Sequence, residues 1–137
     1  MNIEEYNQFV LDFRLTGDVQ ANNKRIEYTE SRGDDDVLAN FKSTAFDLDL
    51  DTLQVLGIFM KKHWSSIINY IKTGKVYSDE DVISRIQDMH QYLELTAAAI
   101  TEKRELAALA DEEETAEDQV FNPHIINKKT IREGVQS

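Results

Sequence analysis

No cysteine occurs in the 137 residues, and there are only one proline, one tryptophan and five glycines. The lack of cysteine excludes disulfides, thiolate-held metals and a thiol nucleophile. Scarce proline and glycine leave few enforced helix stops, which favours helices. No apolar run approaches the roughly 18 residues of a membrane span. The N-terminal MNIEEYNQFVLDF lacks the basic-then-apolar pattern of a secretory signal. A cytoplasmic protein with no membrane association is the expectation. There is also no glycine-rich phosphate loop, dinucleotide fingerprint or Gly-x-Ser-x-Gly elbow. The sequence therefore assigns no catalytic residue and leaves open whether the chain is an enzyme.

Basic residues are the scarcer charge, 15 against 26 acids, for a net −11. Residues 102–118 hold eight acids and two bases, whereas residues 119–137 are net +2. Such a field repels a polyanion, so general nucleic-acid binding is not expected. A small anion can still bind where a few bases converge.

Ile3, Tyr6, Phe9, Val10 and Phe13 recur at three- and four-residue intervals, one face of a helix over 2–14. Thr16-Gly17-Asp18 is expected to break it, with a shorter helix from about Asn22 to Glu30. Asp34, Asp35 and Asp36 then supply an N-cap and first-turn acids for a helix carrying Val37, Leu38, Phe41, Ala45 and Leu48. Asp51 with Gln54 reads as a capping pair that opens a helix to Thr73, and Gly74 as its stop. Its apolar stripe is Leu53, Leu56, Phe59, Met60, His63, Trp64, Ile67, Ile68 and Ile71. Ser78-Asp79-Glu80-Asp81 caps a last long helix with Val82, Ile83, Ile86, Met89, Leu93, Ala97 and Ile100 inward. Beyond Leu109 the charge run predicts a linker or a fraying helix end. Phe121, Ile125, Ile126 and Ile131 make the tail apolar enough to dock.

Three blocks carry a resemblance. They are Glu27-Tyr28 with Ser31-Arg32-Gly33 and Leu38-Ala39-Asn40-Phe41-Lys42; Lys62-His63-Trp64-Ser65-Ser66-Ile67; and Arg85-Ile86 with Asp88, Tyr92 and Leu93. Together, over residues 24–100, they resemble a group of small phage and prophage helical proteins. That group is similar to phage nucleotide-modification-associated domains and, remotely, to all-α nucleotide pyrophosphohydrolases. Gln91 stands where the group usually has Asn before the Tyr. The pyrophosphohydrolases bind Mg²⁺ through a Glu-x-x-Glu on one helix and a Glu-x-x-Asp on a later one. Here the only pair spaced like the first on an expected helix is Glu114 and Glu117, after the core, so that signature is incomplete.

Each candidate site residue has an ordinary reading beside its functional one. The aspartates at 34–36 cap a helix or offer oxygens to Mg²⁺. Lys62 is a surface lysine or a phosphate contact, and His63 fills the core edge or hydrogen-bonds a ligand. Asp88 lies among apolar residues and needs a partner, with Lys62 or Arg32 available, or a ligand. Trp64 and Tyr92 are core aromatics or stacking surfaces. Asn40 and Lys42 are useful polar groups if their end of the bundle forms a pocket. With the resemblance, the ligand-binding set is Tyr28, Arg32, Asn40, Lys42, Lys62, His63, Asp88 and Tyr92, and the metal candidates are Asp36 and Asp88.

The expected fold is all-α: four to five helices over residues 1–108, with two long antiparallel ones, then an acidic linker and docking tail over 109–137. The leading function is a phage-encoded accessory protein that binds a nucleotide or nucleotide-like molecule, with Mg²⁺ as the one cofactor considered, in the host cytoplasm. The alternatives are an acidic interaction protein that captures a host or virion protein through its C-terminal segment, and a Mg²⁺-dependent nucleotide pyrophosphohydrolase. Broad apolar stripes on the two long helices suit a homodimer.

Overall fold

The computed structural model describes the backbone of residues 1–30 and 36–120, and the side chains of 1–26 and 36–119. All regular structure among them is helical: α1 (Ile3–Glu30), α2 (Ala39–Leu48), α3 (Thr52–Thr73) and α4 (Val82–Val120). Two units divide the chain, Met1–Ile100 and Thr101–Ser137.

Helix α1 opens with a reciprocal cap. The Glu5 amide donates to Asn2 Oδ1 at 2.9 Å, and the Asn2 amide to Glu5 Oε2 at 2.8 Å. The helix then runs unbroken to Glu30, so Thr16-Gly17-Asp18 does not interrupt it. One glycine costs a helix interior only about 1 kcal/mol, too little to stop it when both flanks are helical. Gly17 is instead buried against α4, where a Cβ would lie 3.8 Å from Gln87 Cβ and 3.7 Å from Gln91 Nε2.

Helix α2 is capped differently from expectation. Its N-cap is Leu38, with no side-chain cap bond. Asp36 Oδ1 accepts the amide of the N-cap Leu38 itself at 2.9 Å rather than one from the first turn of the helix. Asp34 and Asp35 lie outside the described residues. The helix ends on Asp49 in the left-handed region (φ 55°). At α3 the expected box is present: the Leu53 amide donates to Asp51 Oδ1 and the Asp51 amide to Gln54 Oε1. Gly74, at φ 66°, closes the helix.

The core gathers Leu38, Leu56 and Ala99, with Phe41, Leu53, Tyr92 and Leu95 packed around them. The inward face of α4 is only partly the expected one: Val82 is buried and Met89 and Ile100 are partly so. Ile83, Ile86 and Leu93 are exposed, whereas Gln87 is buried and Asp88 and Tyr92 are half-buried or better. Polar groups occupy these inner positions because each finds a partner. Gln87 Nε2 donates to the Phe13 carbonyl at 3.1 Å, and Gln91 Nε2 to Asp18 Oδ1 at 3.3 Å. On α3, Trp64 and Ile71 of the expected stripe are exposed, and Val55, outside it, is buried. Residues 109–120, expected as a linker or helix end, are helical. The tail from 121 lies outside the described residues. No helix among the described residues is long and apolar enough to cross a membrane.

Candidate functional site

A pocket of about 250 Å³ opens among the four helices of the first unit. Helix α1 contributes Gly17, Ala21, Lys24 and Arg25, spaced so that they share one side of the helix. Asp36 precedes α2, which adds Asn40 and Phe41. Phe59 comes from α3, and Gln87, Asp88, Gln91 and Tyr92 from α4. One wall is aromatic. Phe59 and Tyr92 stack at 5.8 Å with 23° between planes, and Phe41 stands edge-on to both at 5.7 and 6.1 Å.

The charged groups are paired across elements. Lys24 Nζ lies 3.1 Å from Asp88 Oδ1, tying α1 to α4, with Asp88 only 16% exposed. Lys42 Nζ lies 2.6 Å from Asp36 Oδ2. That bond, with help from the Leu38 amide, holds the Asp36 carboxyl below its ordinary value against the opposing effect of burial.

His63 lies behind the aromatic wall, its ring centre 5.2 Å from that of Tyr92. Its Nδ1 is 3.8 Å from Asp88 Oδ2, is buried, and makes no hydrogen bond. Burial pushes the imidazole pKa down. Asp88 and Glu80 pull it up, while Arg85 and Lys62 press it lower. Arg85 itself pairs with Glu80 at 2.8 Å.

The structure thus brings together Asn40, Asp88 and Tyr92 at the pocket, with Asp36 at its rim and His63 one layer behind. Lys42 is turned onto Asp36 and Lys62 is exposed on α3; neither lines the pocket. The partner of Asp88 is Lys24 rather than Lys62. Arg32 and the side chain of Tyr28 lie outside the described residues. Lys24, Arg25, Phe41, Phe59 and Gln87 were not singled out from the sequence. The recurrence of Gly17, Ala21 and Lys24 on one side of a continuous α1 is the signal that points to Lys24 and its neighbour Arg25, and it is hidden once a break is placed at Gly17. Phe41 and Phe59 are legible only as apolar helix positions, and nothing local marks Gln87.

Chemically, the site offers a stacking wall, side-chain amides from Asn40, Gln87 and Gln91, two cations and two carboxylates. No Ser or Thr lines it among the described residues, and Tyr92 supplies its one side-chain hydroxyl there. No cluster of three or more His, Asp or Glu suited to a metal occurs among the described residues. No protein-family model, curated protein or solved structure matches this chain. What is established is therefore a small protein, helical over its described residues, with a largely apolar, aromatic-walled pocket that carries a few charged and amide side chains.

Proposed function

We propose that the chain is an accessory protein that binds a nucleotide or nucleotide-like small molecule in this pocket. The observation that carries the reading is one cavity lined by both an aromatic wall of Phe41, Phe59 and Tyr92 and the cations Lys24 and Arg25. A planar base stacks on such a wall, amides meet its edge, and an anionic group meets the cations. The volume, about 250 Å³, is just below the usual range of roughly 300–1,000 Å³ for ligand sites and suits one base with part of its sugar phosphate. The likeness to phage nucleotide-associated proteins supports the same assignment, and with it a phage origin and a place in the host cytoplasm. Mg²⁺ enters this reading only with the ligand's phosphates, with Asp36 or Asp88 adding a carboxylate. Hydrolysis of a nucleotide pyrophosphate is a further step, one that needs those carboxylates released from Lys42 and Lys24.

The reading assumes α3 and α4 run antiparallel beside the pocket. Its support is the reversed order of their contacts: Met60 meets Thr96, and His63 meets Tyr92 and Asp88. A thermal-shift panel of nucleosides, nucleotides and modified nucleotides, with and without Mg²⁺, tests the function. A ligand at 100 times its dissociation constant stabilises by about 2.7 kcal/mol, a rise of several degrees. Tyr92→Leu and Lys24→Met are expected to abolish the shift; a panel flat in the unaltered protein removes the proposal.

A second reading has its own observation. Helical residues 101–120 expose Leu106 and Leu109 among eight acids, a face suited to a basic protein partner. Deleting residues 110–137 would then abolish capture of a host or virion protein.

A further inference from the structure

Helix α1 carries two apolar stripes on opposite sides. The inner one, with Phe13, Gly17 and Ala21, faces α4 and the pocket. The outer one runs Gln8, Leu11, Leu15, Val19, Asn22 and Ile26, with steps of three and four residues throughout. Its four apolar members are 63%, 66%, 52% and 52% exposed in chain order. A contiguous row of exposed apolar side chains on one helix face marks an interaction surface. We infer that the outer stripe of α1 is a homodimer surface, covered by the same stripe of a second copy.

Area is the first argument. Aromatic side chains bury about 150–250 Å², and aliphatic ones lie at or below the low end of that range, so those four residues offer at most roughly 350 Å² of apolar surface per copy. A standard homodimer interface takes about 800 Å² from each partner, some 65% of it apolar, or roughly 500 Å². The stripe supplies up to about two thirds of that amount on one face of one helix. Its steps average one helical repeat, so two straight helices stay in contact along its length, about 27 Å from Gln8 to Ile26.

Charge is the second argument, and it favours a second copy. The chain carries −11, so two copies repel over most of their surface. Residues 1–26 hold four acids and three bases, close to balance, so this region lets two acidic chains approach. Asn22, a polar residue inside the seam, matches the device that fixes register and copy number where helices pair.

Sedimentation equilibrium of the full chain is the first test, with a species of twice 15.8 kDa expected at micromolar concentration. Leu15→Glu combined with Val19→Glu places charges in the seam and is expected to raise the dissociation constant at least about a hundredfold. Leu106→Glu, an exposed leucine outside α1, leaves it unchanged, and circular dichroism confirms that each variant is helical. If the glutamate pair does not fold, the lack of native cysteine provides a second route. Single cysteines at Leu11, Leu15, Val19 or Asn22 are expected to give disulfide-linked dimers at one position or more, and a cysteine at Ala21 none. A chain that stays monomeric overturns the proposal. So does a dimer that crosslinks nowhere along the stripe, or a stripe that closes dimers only after residues 121–137 are removed, which would make the tail its occupant.

Discussion

His63 Nδ1 sits 3.8 Å from Asp88 Oδ2 without a hydrogen bond, while Lys24 holds the other oxygen of the same carboxylate at 3.1 Å. The imidazole is therefore a buried neutral group facing an anion that a cation on another helix has already engaged. Two consequences follow for how stability responds to acid and to substitution.

The first concerns pH. Burial lowers the folded-state pKa of His63 below its ordinary 6.5, so below that value the unfolded chain binds the extra proton first. Stability linked to neutral His63 is fully present above pH 6.5 and is lost as pH falls beneath it. Asp36 acts lower down: its carboxyl is held below 3.8, so its contribution is present above that value and fades under it. Urea midpoints measured from pH 8 to 5 should fall in the unaltered chain and fall less in His63→Gln. Equal slopes would show that His63 is not buried neutral.

Replacing Asp88 with Asn removes the anion that pulls the imidazole up, so His63 should titrate lower still. It also removes the Lys24 tether between α1 and α4. Because Lys24 is 58% exposed, that pair contributes at most about 1 kcal/mol. Proton NMR of the imidazole reads the first effect and thermal unfolding the second. An upward shift of the His63 titration would contradict the arrangement.

Much of this layout is legible in the residues, and the exceptions have physical causes. Asp51 with Gln54 and then Gly74 mark α3 because local hydrogen bonds and a left-handed backbone decide them. The inner face of α4 is only partly legible, since it holds Gln87 and Asp88, whose partners Phe13 and Lys24 lie more than sixty residues away. A hydropathy pattern scores Gln87 as outward and selects Ile83, Ile86 and Leu93, which are exposed, along with Val82, which is buried. Asp88 is a partial success: a carboxylate at that position demands a partner, but the sequence does not say which lysine. A break at Gly17 hides Lys24 and the α1 side of the pocket, whereas Asp36, Asn40, Asp88 and Tyr92 are legible from the sequence.

Leu56 is fully buried at the centre of the core, between Leu38 and Ala99. Leu56→Ala should cost about 2–5 kcal/mol, a large share of a domain's 5–15 kcal/mol. Phe46, 87% exposed on α2, provides the contrast, and Phe46→Ser should change stability by less than about 0.5 kcal/mol. Chemical denaturation of the two variants checks whether the core is centred at Leu56. Similar losses in both would place it elsewhere.

Gly17→Ala separates the two readings of α1. If the chain broke at Thr16-Gly17-Asp18, alanine would impose strain or nothing. In a continuous helix the substitution removes the conformational freedom that glycine gives the unfolded chain, a gain of about 0.5–1 kcal/mol. The added methyl would touch Gln87 and Gln91 at ordinary van der Waals distances of 3.7–3.8 Å, so no clash offsets that gain. Those glutamines also hold the hydrogen bonds to Phe13 and Asp18, and the methyl leaves both in place. The melting point should therefore rise by a few degrees. A fall would mean that α1 and α4 approach more closely at Gly17 than these distances allow.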